Sequence, residues 1–337
     1  FLNTLISLTF ISFYKYSQNG KASHLNNAAI FIGIGFLVKG LTIVFLTGAI
    51  FFLYLLFIGQ IKFFFKAIMS YKPWAIFFLI IVPWTAVILL RLDFDALTYL
   101  FFGQSFGRFS STFESHTGPI YYYLIILPFL ILPFFTDFLK GLFSSKFKSN
   151  KLDMFFGIWF LFVLVFFSFS STKLPHYLIY GLTPVVYFIE KYHLKAAGKP
   201  ISLFAFIFQI LIWSMLLVLP FYLSYLTEVM QTYEASLSAI NTFANDLVYQ
   251  VFIGITLLSI TLCFFLKYDN AKVKKLSALA FTVILSFKIA PFLHSVTQGD
   301  IKELGVYARD SDKEVSMYKV NKPSYAFYAQ KKSFRGL

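Results

Sequence analysis

The stretch RLDFDALTYLFFGQSFGRFSSTFESHTGPIYYY, Arg91 to Tyr123, separates two long apolar runs. It holds two acids, Asp93 and Asp95, an arginine framed by aromatics (Phe106, Arg108, Phe109) and the cluster Glu114-Ser115-His116. It closes on Gly118-Pro119 and three tyrosines, Tyr121 to Tyr123. A polar interlude of this kind reads as a loop at a membrane surface, with membrane helices on either side.

Composition points the same way. Of the 337 residues 58% are hydrophobic, 21% aromatic and 13% charged, whereas a soluble domain carries about 25% charged residues. The apolar runs approach or exceed the roughly 18 residues that mark a spanning helix. The chain reads as an all-α polytopic membrane protein. Its net charge of +14 would suit a nucleic-acid binder. The lysines, however, sit in short links between apolar runs, which is a signature of topology, so no nucleic-acid partner is expected. A single cysteine, Cys263, lies inside an apolar run; it excludes an intramolecular disulfide and a cysteine-based metal site. The chain starts at Phe1 within an apolar run, with no initiator Met and no signal peptide. N-terminal sequence is therefore expected to be missing, and the end at Leu337 is equally abrupt.

Working outward, ten membrane segments are expected. Four precede the loop: residues 1–14, 28–39, 40–58 and 73–90. Six follow it: residues 119–139, 153–170, 177–189, 201–226, 248–266 and 276–291. The run Ala28–Ile58 is too long for one span of about 20 residues, and Lys39-Gly40 is where it divides. Loop charge tests the division. One set of alternating links carries sixteen lysines: Lys15, Lys21; Lys62, Lys66, Lys72; Lys140, Lys146, Lys148, Lys151; Lys191, Lys195, Lys199; Lys267, Lys272, Lys274, Lys275. The opposite links carry four cations, Lys39, Arg91, Arg108 and Lys173. The positive-inside rule places the first set in the cytoplasm and the second outside. The domain reading is a transmembrane domain, residues 1–291, with an external loop at 91–118, and an external C-terminal segment, residues 292–337. That segment reads as the start of a small α/β unit, with a helix over Asp300–Arg309 and strands over Glu314–Val320 and Ser324–Ala329.

A cation on the cytoplasmic side is explained by topology, whereas one on the sparse external side asks for a further reason. Arg108 presents paired planar donors suited to a phosphate; the alternative is an interfacial arginine snorkelling from a helix end. Lys39 beside Gly40 offers an ammonium to an anion, or simply terminates two helices. Lys173 and His176, in SSTKLPHY, share a tight turn at Pro175 and could face one cavity; a polar turn capped by Ser170, Ser171 and Thr172 explains them as cheaply. His116 and Glu114 do not have metal-motif spacing. Asp93 and Asp95, at i and i+2, do not share a helix face, and a helix N-cap accounts for either. Tyr122 and its neighbours suit an interfacial aromatic belt or stacking on a sugar. No P-loop, dinucleotide fingerprint, serine elbow or HExxH motif is present, so energy from a soluble nucleotide is not indicated.

Taken together, Val38-Lys39-Gly40, Val82-Pro83-Trp84, FDALTYLFFGQSFGRF (Phe94–Phe109), His116 with Pro119 and Tyr121–Tyr123, and FFSFSSTKLPHYLIYGLTP (Phe166–Pro184) carry a family resemblance. The chain resembles the bacterial membrane glycosyltransferases related to the aminoarabinose transferase of lipid A and, more distantly, the protein O-mannosyltransferases (glycosyltransferase families 39 and 83). The likeness is good over about Ala28 to Pro184 and weak in the tail, at NKPSYAFY. It implies a GT-C fold in the bacterial inner membrane with a periplasmic catalytic cavity. It also implies a polyprenyl-phosphate sugar donor, inverting transfer, and lipid A, another glycan or a protein as acceptor. On that resemblance Arg108 matches the loop arginine that would hold the lipid phosphate, and Lys39, Lys173, His176, His116 and Tyr122 would line the same cavity. The family's general base is an aspartate of a first external loop, which would precede Phe1. Relatives often carry Glu-His where this chain has Gln104-Ser105, which removes the histidine behind any metal contact there and leaves dependence on a divalent metal open. Two other readings remain. A transporter or lipid-linked-sugar flippase would use the break at Lys39 as a discontinuous helix, but predicts paired breaks in two halves, and one clear break is found. A non-catalytic membrane assembly component is the other.

Overall fold

The computed structural model describes residues 1–92, 94–99, 118–196, 198–230, 234–311, 316–318, 323–330 and 334–336. Those residues are almost wholly helical and form two compact units, Phe1–Lys195 and Ala196–Leu337.

In the first unit α1 (Leu2–Asn19), α2 (Ala22–Lys39) and α3 (Leu41–Phe57) follow one another with minimal links. The division at Lys39-Gly40 is physical. Gly40 adopts φ 61°, ψ −141°, a region essentially confined to glycine, so one helix stops and the next starts at the following residue. A short helix, α4 (Ile61–Met69), occupies what reads in sequence as a link, and α5 (Tyr71–Arg91) follows with Pro83 inside it. The start of the long polar loop is a five-residue helix, α6 (Phe94–Thr98), with Asp95 in its first turn, where a carboxylate complements the helix dipole.

Beyond the loop, the segment expected over residues 119–139 is two helices, α7 (Tyr122–Leu130) and α8 (Phe135–Phe143), bent by 112° at the break. Next is α9 (Lys151–Phe169), started by Asn150, whose side chain accepts from the backbone N–H groups of Leu152 and Asp153. A 3-10 helix, Pro175–Gly181, leads into α10 (Leu182–Ala196). An aromatic core ties these helices together: Phe10, Phe51, Tyr54, Phe155 and Trp159 are almost fully buried. The Trp159 indole donates to the Tyr180 carbonyl at 2.7 Å, which satisfies its one polar atom inside the core.

The contacts define two ends of this unit. Phe45, near the start of α3, stacks on Phe166, near the end of α9 (5.2 Å). Tyr54, near the end of α3, meets Phe155, near the start of α9 (4.9 Å), and Phe155 also meets Tyr14 (5.4 Å). Gly40 and the turn after Phe169 therefore share one end. The links after α1, α3 and α8 share the other, about 28 Å away along α9 at 1.5 Å per residue.

The second unit contains α11 (Leu203–Met230), α12 (Glu234–Ala244) and α13 (Leu247–Phe265). They precede a 41-residue continuous helix, α14 (Asn270–Ile284) and α15 (Ala290–Asp310), joined through a π turn at Leu285–Ile289. Trp213 donates to Ser277 at 2.9 Å, Tyr249 donates to the Leu216 carbonyl at 2.6 Å, and Lys288 pairs with Asp246 at 2.5 Å.

By length and hydropathy five of the described helices can cross a membrane, or six if the bent pair is one span. The rest of the ten expected segments fall on shorter or more polar helices. Helix α3, at 17 residues, reaches only about 25 Å against a hydrocarbon core of about 30 Å. In the tail, the expected helix over Asp300–Arg309 is the end of α15. The expected strand over Ser324–Ala329 is instead a helix, α16 (Pro323–Ala329). Pro323 opens it where a missing N–H costs nothing, and Tyr328 and Ala329 pack so close to Gly305 that a Cβ there would lie 2.6 Å from that of Tyr328. The β-structure of the described residues is one parallel pair, Ser316–Tyr318 with Phe334–Gly336, too small to make a sheet layer, and an isolated antiparallel bridge between Pro200 and Asp269.

Candidate active site

Lys173 is the best-defined sequence candidate. It follows α9 and is buried, with 7% of its surface exposed. Its ammonium donates to the Ser168 carbonyl at 2.8 Å and to the Ser170 carbonyl. The last carbonyls of a helix lack intrahelical donors and carry the negative end of its dipole; Lys173 supplies both a donor and a charge. Burial holds its amine below the usual lysine range, because desolvation disfavours the charged form. The surrounding turn is closed by the Ser170 hydroxyl, which donates to the Thr172 carbonyl at 3.2 Å.

The end of the polar loop is brought to this lysine. A Cβ on Gly118 would lie 3.2 Å from the Lys173 Cγ and 3.2 Å from the Tyr122 Cδ2. A side chain there would require the Lys173 or Tyr122 side chain to give by a few tenths of an ångström. The Tyr123 hydroxyl accepts from the Leu174 N–H and also approaches the Leu174 carbonyl, both at 3.1 Å. Tyr123 is fully buried and clamps the start of α7 to the turn after α9. Sequence reasoning placed weight on Tyr122, which is half-buried and lies edge-on to Tyr123 at 5.1 Å. The clamp is made by its neighbour, and three consecutive tyrosines gave no sign of which one faces inward.

His176 is exposed, one residue into the 3-10 helix, with its ring 4.9 Å from that of Tyr177. Lys39 is half-buried at the last position of α2, at the same end of the bundle as Lys173. Arg108 and His116 lie outside the described residues, as do Asp93 and Glu114. Among the described residues no group of three His, Cys, Asp or Glu side chains could hold a metal ion.

An apolar groove of about 900 Å³ runs along α9, from Leu142, Ser145 and Met154 at one end to Phe166 and Phe169 at the other. Its far end is at Phe169, the last residue of α9. At the opposite end two carboxylates absent from the sequence candidates are fully buried. Asp153 accepts from Lys191, from the Tyr187 hydroxyl at 2.6 Å and from the Lys146 N–H at 2.8 Å, while Asp137 meets His193 at 2.6 Å. Every partner of Asp153 is local to this end, so these groups lock the lysine-rich links.

Lys39 and Lys173 thus stand at one end of this helical unit, and a long apolar groove runs beside it. No family model matches the chain. Two crystal structures of ArnT from Cupriavidus metallidurans share its fold. The one bound to undecaprenyl phosphate superposes with TM-score 0.69 at 18% identity, covering 98% of this chain and 60% of that one; the apo form gives 0.67 with the same coverage. Among curated sequences, an undecaprenyl phosphate-alpha-4-amino-4-deoxy-L-arabinose arabinosyl transferase of Proteus mirabilis is 28% identical over 186 residues, 55% of this chain and 33% of that protein. The corresponding transferase of Photorhabdus laumondii is 33% identical over 130 residues, 37% and 23% respectively. An uncharacterized protein of Aquifex aeolicus is 31% identical over 173 residues, 49% and 38% respectively. The matched regions thus span 23% to 38% of the length of these relatives. The fold is that of ArnT, the membrane architecture expected from the sequence resemblance.

Proposed function

We propose that this chain forms the membrane core of an inverting glycosyltransferase that moves a sugar from a polyprenyl-phosphate carrier to a cell-envelope acceptor. The observation that carries the reading is the match of 98% of the chain to the fold of an ArnT that binds undecaprenyl phosphate. Partial sequence relatives named for transfer from an undecaprenyl-phosphate aminosugar agree with it. Lipid A is the acceptor the resemblance favours, and another glycan or a protein the alternative. The face is periplasmic and the membrane the bacterial inner one. Sixteen lysines in one set of links against four cations in the other support that orientation.

The roles follow from charge and position. A carrier lipid arrives in the plane of the bilayer, and the groove along α9 offers its tail an apolar track up to Phe169. Its phosphate then lies at the interface, where Arg108 grips it. Lys39, Lys173, His176, His116 and Tyr122 line the same cavity, with Gly118 holding the loop end against Lys173. The acceptor hydroxyl attacks the anomeric carbon and gives its proton to a general base, an aspartate by the family resemblance; the bond to the phosphate oxygen breaks, and the carrier leaves as polyprenyl phosphate. Fixed cations in a partly dry site stabilise the charge growing on that leaving oxygen.

Residues 1–291 are assigned to the membrane domain and 292–337 to an external α/β segment. The 41-residue helix from Asn270 to Asp310 supports this: at about 60 Å it is twice the thickness of the hydrocarbon core, so its C-terminal half projects from the bilayer. The functional test is mass spectrometry of the envelope of a deletion strain. The reading expects one envelope molecule to lose a sugar and regain it on complementation. An unchanged envelope glycan profile contradicts it.

A further inference from the structure

We infer that the end of the first unit opposite Lys173 holds a bound anionic phospholipid, with its phosphate on Lys62 and Lys66 and part of an acyl chain in the apolar groove beside them. The inference does not depend on the transferase reading. Helix α4 lies at this end with no fully buried residue. Phe63, Phe64 and Ala67 pack partly against the core, while Lys62 and Lys66 are exposed. These two lysines are four apart, so they share a face. Such a helix, apolar on one side and cationic on the other, lies in the plane of a membrane interface.

Two hollows meet beside it. One, of about 620 Å³, is lined by Lys62, Lys66, Tyr16, Ser70 and Leu25 among others. The second, of about 250 Å³, is apolar and lined by Leu25, Ala28, Ile68, Trp74 and Phe77 among others. Leu25 borders both, so a cationic, hydroxyl-bearing mouth opens beside an apolar slot. That is the shape of a headgroup with a chain attached. The charge is not neutralised from nearby sequence: Phe1 to Leu92 contains no Asp or Glu, yet carries Lys15, Lys21, Lys62, Lys66 and Lys72 at or near this end. Topology alone accounts for lysines in links; it does not account for two of them lining one cavity that shares Leu25 with an apolar slot.

The test uses the full protein in detergent micelles, titrated with phosphatidylglycerol or phosphatidylcholine and read by native mass spectrometry. The expected result is one retained phosphatidylglycerol and no comparable retention of phosphatidylcholine. Lys62→Gln with Lys66→Gln should weaken that retention by roughly tenfold or more, whereas Lys148→Gln with Lys151→Gln, which removes two charges at the same end outside the cavity, should not. Equal retention of phosphatidylcholine, unchanged binding in the Lys62/Lys66 variant, or displacement of the lipid by inorganic phosphate at matched ionic strength would each overturn the inference. A second reading needs no lysine variant. Phosphatidylglycerol with brominated chains should quench the fluorescence component that Trp74→Phe removes, and absence of that quenching would overturn the acyl-chain placement.

Discussion

The Lys173 ammonium faces two demands at once. It neutralises the carbonyl end of α9 through Ser168 and Ser170, and it stands where the polar loop returns at Gly118. From the sequence, SSTKLPHY offered two accounts, a capped turn or an anion site, and nothing in residue spacing chose between them. The capped turn is present in the structure. Lys173→Met removes donors from buried carbonyls, so it should cost about 1–3 kcal/mol and lower the unfolding midpoint in detergent. Lys173→Arg keeps a cation but cannot repeat the compact geometry, and should recover only part of that loss. A midpoint unchanged in Lys173→Met would contradict the capping role. Tyr123 was hidden for a different reason. Tyr121, Tyr122 and Tyr123 are chemically identical, and only the helix phase set by packing turns one inward onto Leu174.

Elements were legible where the local signal was strong. The break at Lys39-Gly40 could be read because glycine tolerates a backbone that other residues do not, and Gly40 takes that backbone. Gly40→Ala should therefore destabilise the first unit by roughly 1–3 kcal/mol, measurable by denaturant or thermal unfolding of the purified protein. Two elements were misread or missed. Ser324–Ala329 looks like a strand because Tyr and Phe are rich in it, yet Pro323 and the close seat on Gly305 make it a helix. Helix α4 sits in a stretch too short and too charged to count as a span, and its stability comes from packing that sequence does not show. At the start of α14, Asp269 accepts from the Lys272 and Gly198 N–H groups at 2.9 and 2.7 Å. The Lys272 N–H chiefly holds this carboxyl below its usual range; slight burial opposes it, and the Gly198 N–H adds to it. Its folded value is depressed, so its contribution is complete above the ordinary carboxylate value of about 3.9 and fades as pH falls through the lowered one. Asp269→Ala should cost about 0.5–2 kcal/mol at neutral pH and flatten this acid limb, as read by unfolding at a series of pH values.

At the scale of the whole molecule, the alternation of lysine-rich and lysine-poor links predicts which links share an end, and in the first unit Gly40 and the turn after Phe169 do share one. It works because moving charge across a bilayer is costly, so the bias survives even where a helix is too short or too bent to count as a span by itself. The bent pair α7–α8 shows this. No hydropathy window reveals a 112° turn, yet Tyr123 at the start of the pair meets Leu174 at one end, and Gly141 near its finish packs against the Phe188 backbone towards the other. The orientation is open to a direct test. In the full-length protein, a cysteine at Ser111 should be labelled by an impermeant reagent on intact cells, and one at Ser149 should not. The reverse pattern would invert the proposed sidedness.

We propose that cations of this chain hold the phosphate of a carrier lipid while its sugar is transferred, with Arg108 in the leading role. The decisive measurement is turnover of a polyprenyl-phosphate sugar by the purified full-length protein, followed as release of polyprenyl phosphate, for the natural sequence and for Arg108→Ala. Turnover is expected in the first and a loss of about 10²-fold or more in the second, with insertion and unfolding midpoint retained. Equal turnover in both proteins, or none in the natural one, would contradict it.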